Sequence, residues 1–159
     1  MQIIKNRRLV EDHWQIVGPD DPLPSGDIIV PLARWQAGRD SLLSRTGRLG
    51  LLLNGAAPLH ELADDLHHFP LIALEFPQFK DGRCYSHARL LRERYHYQGE
   101  LRAVGEVLRD QLFFMERCGI NSFVLRQDQD PQLALGAFND FSVKYQSAAD
   151  LAEPIYRLR

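Results

Sequence analysis

Six arginines, Arg83, Arg89, Arg92, Arg94, Arg102 and Arg109, crowd the stretch from Phe76 to Gln111. Asp81-Gly82-Arg83 stands where an apolar run ends and a helical pattern begins. A helix N-terminus carries unpaired N–H groups and about half a positive charge, and an arginine in the first turn adds a planar donor fork. Gly82, Arg83 and Ser86 are therefore candidates for holding an anion. The same residues also make an ordinary helix start, with Asp81 as the cap, Gly82 easing the turn and Arg83 paired with a carboxylate such as Glu106.

Two further arginine groups follow from the same stretch. Arg102 falls inside a predicted strand, where a charge needs a partner. Glu75 and Asn54, at the ends of neighbouring runs, can share its face, so an Arg102–Glu75 pair would either orient an anion or simply neutralise itself. Tyr85, Arg89, Arg92 and His96 lie on one helical face by their i, i+3 and i, i+4 spacing, which gives either a docking surface for an acidic partner or a solvated stripe.

Other chemistry is less well supported. His60, Glu61, Asp64, Asp65, His67 and His68 resemble a metal cluster, but all lie opposite the apolar stripe of their predicted helix and have no second shell, so no metal site is expected. Cys84 sits in the first turn of the arginine-flanked helix, a position that acidifies a thiol, yet it also fits that helix's buried stripe. Cys84 and Cys118 are the only cysteines and form no CxxC pattern, which argues against a disulfide framework, a thiolate zinc site or an iron–sulfur cluster. Nucleotide and hydrolase fingerprints of the Walker, GxGxxG, GxSxG and HExxH types are absent.

The elements that must position these residues show a clear rhythm. Short apolar runs at Ile28–Val30, Leu49–Leu53, Leu71–Phe76, Leu101–Val104 and Ser122–Leu125 alternate with helix-length segments around Trp35–Arg45, Pro58–Phe69, Gly82–Tyr95 and Val107–Cys118. The spacing predicts an α/β fold of about five parallel βα units, either half-barrel-like or doubly wound and flavodoxin-like. Residues 1–17 read as an N-terminal β-hairpin appendage, with Asn6 in its turn, 27–143 as the βα core, with a last helix at Pro131–Phe141, and 144–159 as a tail. In either topology ligands gather at the carboxyl ends of parallel strands. Asn54, Glu75, Glu106 and Arg126 are thus supporting residues beside Asp81.

Composition sets the outer limits. A chain of 159 residues with 45% hydrophobic content matches one domain with a core of its own. The net charge of −2 gives no field to draw nucleic acid or an anionic membrane. Neither a signal-type run nor a membrane-length apolar segment occurs, so a cytoplasmic protein is expected.

Several of these residues also carry a resemblance. Asp12-x-Trp14, Val30-Pro31-Leu32, the motif Phe76-Pro-x-Phe79-x-Asp81-Gly82-Arg83-x-Tyr85-Ser86-x-Ala88-Arg89-x-Leu91-Arg92, Gly99-Glu100-Leu101-Arg102-Ala103-x-Gly105 and Asp110-Gln111 resemble bacterial domain-of-unknown-function family 934. Genes of that family often lie beside those for assimilatory sulfite reductase, and members are commonly labelled oxidoreductases. The resemblance implies a place in the assimilation of sulfate to sulfide. It suggests an accessory protein that binds an oxyanion, sulfite reductase or another protein of that pathway; the alternative is a small oxidoreductase acting on a sulfur oxyanion with an unidentified cofactor.

Overall fold

Asn6 and Arg7 both adopt positive φ, 53° and 63°, the geometry of a tight two-residue hairpin turn. Strands β1 (Gln2–Lys5) and β2 (Arg8–Glu11) accordingly pair antiparallel, with Ile4 opposite Leu9. The computed structural model describes residues 1–77 and 81–139. The predicted tail, and the end of the helix predicted to reach Phe141, lie outside them.

Beyond the hairpin come β3 (Gln15–Ile16), β4 (Ile28–Pro31), β5 (Leu49–Leu53), β6 (Leu71–Phe76), β7 (Glu100–Gly105) and β8 (Ser122–Phe123). These six are parallel and neighbour one another in chain order. Sequential order decides between the two expected topologies: this is a curled half-barrel rather than a doubly wound sheet. The hairpin is no appendage, because β1 pairs antiparallel with β8 and extends the sheet to eight strands. Gln15 and Ile16 add a parallel strand where the sequence suggested only the hairpin's end.

The curl follows from a length argument. Strands β2 and β3 stand at opposite edges of the sheet yet are joined only by Asp12-His13-Trp14. A flat sheet of this size would separate its edges by about 34 Å at about 4.8 Å per strand, whereas the chain from Glu11 to Gln15 reaches at most about 14 Å. The sheet must bend its two edges toward each other.

Helices cover the outer face. They are α1 (Leu32–Ala37), α2 (Arg39–Ser44), α3 (Leu59–Leu62) continued by a 3₁₀ turn over Ala63–His68, α4 (Arg83–Glu93), α5 (Leu112–Arg117) preceded by a 3₁₀ turn at Arg109–Gln111, and α6 (Pro131–Ala134). Val30, Leu51, Ile72, Leu74, Leu101 and Ala103 pack outward against Trp35, Leu62, Leu66, Ala88, Leu91, Leu112 and Met115 in one buried cluster. At about 1.5–3 kcal/mol for each large apolar side chain, this layer supplies most of the driving force. The inner face carries a smaller cluster of Ile29, Leu71, Ala73 and Val104, with Trp14, Leu52 and Val124 against it. A Cβ at Gly50 would stand 3.1 Å from Ile29 and 3.2 Å from the Leu71 carbonyl, so glycine is what lets β4, β5 and β6 curl this tightly.

Candidate functional site

The carboxyl ends of the parallel strands bring Asn54, Asp81-Gly82-Arg83, Glu106 and Arg126 to one rim. After β5 the Asn54 side chain turns back to accept from the Ala56 N–H at 2.8 Å. That turn sets Gly55 beneath α4. A Cβ on Gly55 would come within 2.9 Å of Arg83, and His87, one turn further along α4, shares a 3.0 Å hydrogen bond between Nε2 and the Gly55 carbonyl. Its Nδ1 is buried without a partner, and burial holds the ring's pKa below the ordinary histidine value. Its i+4 spacing puts His87 one turn beyond Arg83, but only the packing of α4 over the loop after β5 shows that it meets Gly55.

The N-cap of α4 is Gly82, with no side-chain capping bond; Asp81, expected there, stands one residue earlier and accepts from the Arg83 N–H at 3.0 Å. The Arg83 side chain turns back onto the same carboxylate, with Nε at 3.0 and 3.1 Å and Nη2 at 2.8 Å. These bonds hold the Asp81 carboxyl down to about 2. Arg83 therefore pairs with Asp81 and not with Glu106. Its side chain is nonetheless 62% exposed, and among the described residues nothing lies within 4 Å of a Cβ built on Gly82. Ser86 is exposed one turn on. Arg126 binds Asp128 at 2.6 Å and Glu106 at 3.4 Å. Each of these two rim guanidiniums thus carries its own carboxylate, and an incoming anion has to compete with it.

Arg102 goes elsewhere. The register sets Ala73, Arg102 and Ser122 on one rung of the inner face, with Glu75 and Val104 one rung nearer the rim. Glu75 is exposed, and the expected Arg102–Glu75 pair does not form. Instead Arg102, 3% exposed, grips Asp12 with two parallel hydrogen bonds of 2.9 Å. It also donates to Glu100 at 2.8 Å and to the Ser122 hydroxyl at 3.2 Å, while Lys5 reaches the other oxygen of Glu100 at 3.1 Å. Burial pushes the Glu100 carboxyl up, but Ser122, Arg102 and Lys5 outweigh it and leave its pKa below the ordinary value. The reason for the choice is topological: Asp12 lies in the link that joins the two sheet edges, a position that spacing alone did not reveal. A cleft of about 160 Å³ opens beside this network, with Trp14, Arg48 and Glu11 on its walls.

The proposed partner face also divides. Tyr85 and Arg89 stay on the outside of α4, Tyr85 half-buried and Arg89 exposed. Arg92 turns inward and donates to the carbonyls of Tyr97, Gly99 and Gly119 at 2.8, 2.9 and 3.0 Å. It ties the end of α4 to the loops before β7 and β8 rather than facing a partner. The ring of Tyr85 lies 4.9 Å from Phe76 and 5.0 Å from Phe114 on α5. Phe114 is 50% exposed, and sequence patterning had not singled it out.

Cys84 donates from its thiol to the Glu75 carbonyl at 3.2 Å. Burial, helped by the charges of Asp81 and Glu75, pushes that thiol up to about 11, the opposite of an activated nucleophile. Among the described residues no group of three or more His, Cys, Asp or Glu side chains can hold a metal, and Asp65 of the histidine-rich segment is taken by Arg39 at 2.8 and 3.0 Å. Nor is any described helix long and apolar enough to cross a membrane.

No curated protein and no solved structure matches the chain. The family described as bacterial protein of unknown function (DUF934) has a model that matches residues 50–156. That span holds the rim motif from Phe76 to Arg92 and the Glu100–Gly105 strand, and the chain belongs to this family.

Proposed function

We propose that this protein is an accessory factor of assimilatory sulfite reduction, one that binds a protein of that pathway and does not itself transform the sulfur oxyanion. The observation that carries this reading is the α4 face, where a half-exposed Phe114 leans on Tyr85 beside Arg89. Aromatic and arginine side chains together are the composition that dominates protein recognition. Family membership and the gene neighbourhood of the resembled family supply the pathway. The chemistry nearby also favours binding: the Cys84 thiol is held protonated and Arg83 is already neutralised by Asp81. Mixing the purified protein with purified assimilatory sulfite reductase and following the mass by light scattering tests the proposal. A complex at micromolar concentrations is expected, and two unchanged masses would remove it.

A second reading has its own observation, an exposed Arg83 beside Gly82, where no described residue lies within 4 Å of a built Cβ. There a small oxyanion such as sulfite or sulfate would displace Asp81 and take Arg83 at the helix start, next to Ser86. The site is exposed, so affinity is weak. Stabilisation by sulfite that disappears in Arg83→Ala but rises in Asp81→Asn supports it, and equal stabilisation of all three proteins refutes it. An oxidoreductase with an unidentified cofactor would instead show a visible absorption band in the protein as purified.

A further inference from the structure

We propose that Asn54 is a site of spontaneous covalent modification, its side-chain amide closing onto the backbone nitrogen of Gly55 and opening again as aspartate or isoaspartate. Asn54 is exposed just past the end of β5. Of Asn6, Asn54, Asn121 and Asn139, only Asn54 is followed by glycine, and a residue without a Cβ leaves its nitrogen open to approach. The fold activates both reacting groups. The Ala56 N–H donates to Asn54 Oδ1 at 2.8 Å and draws electrons from Cγ. The Ala57 N–H donates to the Asn54 backbone carbonyl at 3.2 Å, which makes the Gly55 N–H of the same peptide unit more acidic. Among the described residues that N–H is bonded to no acceptor. A Cβ built on Gly55 would lie 2.9 Å from Arg83 Nε, so a guanidinium stands beside the residue whose nitrogen must become an anion.

Water is the only other reactant. Hydroxide takes the Gly55 N–H proton, the nitrogen attacks Asn54 Cγ, and the bond from Cγ to Nδ2 breaks as ammonia leaves with a proton from water, closing a succinimide ring. Water then opens the ring, at Cγ to give aspartate or at the backbone carbonyl to give isoaspartate, and nothing is oxidised or reduced. The Asp81-Gly82 pair has the same freedom at its glycine, but the Asp81 carboxylate is ionised on Arg83 and repels a nucleophile. Either product of Asn54 sets a new carboxylate near Arg83, where it competes with Asp81. Isoaspartate also lengthens the backbone of the turn beneath α4, where a Cβ already lacks room, and so breaks the hydrogen bond between His87 and the Gly55 carbonyl.

Ageing the purified protein at mildly alkaline pH, with peptide mass mapping and enzymatic detection of isoaspartate, tests this. Asn54 is expected to convert at least about tenfold faster than Asn6, Asn121 or Asn139, and faster still as the pH rises. Arg83→Ala should slow the native protein by at least about threefold, Arg83→Lys should hold the wild-type rate and Asp81→Ala should raise it, because the nearby charge changes in that order. In urea, where the turn and the guanidinium no longer meet, wild type and the three variants should react alike. An Asn54 that stays intact while another asparagine converts, or that is no more reactive than the rest, would overturn the proposal. So would equal native rates in wild type, Arg83→Ala and Asp81→Ala, since glycine alone would then account for the reaction.

Discussion

Replacing Asp12 by alanine isolates what holds the sheet's two edges together. The substitution removes both 2.9 Å bonds from Arg102 and leaves a guanidinium only 3% exposed with Glu100 and Ser122 as partners. Breaking a buried pair by deleting one member costs about 3–5 kcal/mol; because Glu100 still offsets the charge, the lower end, about 3 kcal/mol, is expected. For a chain of this length each kcal/mol moves the melting temperature by about 2–4 °C, so the midpoint should fall by about 6–12 °C. Urea unfolding followed by far-UV circular dichroism reads the same loss as a lower midpoint at unchanged slope. Arg102→Met strands Asp12 and Glu100 and should cost at least as much, and the double variant should recover about 2 kcal/mol relative to the sum. A loss below about 1 kcal/mol for Asp12→Ala, or strict additivity in the cycle, would refute the account of Arg102 as the clamp on this link.

Acid should release a second tie. Asp27 accepts from Arg48 and His13 and is held down to about 2, chiefly by the Arg48 backbone N–H. A folded-state pKa below the ordinary 3.8 means this stabilisation is complete above about pH 4 and disappears as the pH falls toward 2; Asp27→Asn should flatten that part of the stability–pH curve, and an unchanged curve counts against it. Gly105→Ala should lose about 2–3 kcal/mol in thermal or urea unfolding, because Gly105 sits at φ 93° and an added Cβ would run into the Phe76 carbonyl oxygen. Both thiols should resist a disulfide reagent at pH 8 in the native protein and react at once in denaturant, since Cys84 and Cys118 are 1% and 2% exposed; fast native reaction would contradict the buried placement.

The parts of the fold that rest on long periodic segments were legible. Each of the five apolar runs became a strand, two of them, Leu49–Leu53 and Leu71–Phe76, with the expected bounds. Gly119 as the end of α5 also followed from residue type, taking φ 110°, whereas the N-cap of α4 falls on Gly82, one residue after the expected Asp81. What periodicity lacks is distance. Nothing in the spacing says that Asp12 crosses between sheet edges, so Arg102 was matched with Glu75, a neighbour in pattern, instead of Asp12. Strand β3 escaped because two residues carry no period. Helical rhythm put Arg92 with Arg89, but the free carbonyls of the loops around Tyr97 and Gly119 drew it inward. At the candidate site, Arg83 and its neighbour Asp81 were readable in sequence, whereas Phe114 and His87 emerge only when α4 is packed against its neighbours.

The seam between β1 and β8 has a consequence for how the chain is made. Ile4 pairs with Phe123, over a hundred residues downstream, so on the ribosome the amino-terminal ribbon waits on the order of ten seconds for its neighbour to emerge. Through that interval Ile3 and Ile4, both almost wholly buried in the finished protein, stand as a bare apolar edge. Nascent chains should therefore be most vulnerable to aggregation, and most dependent on chaperones, just before β8 leaves the exit tunnel.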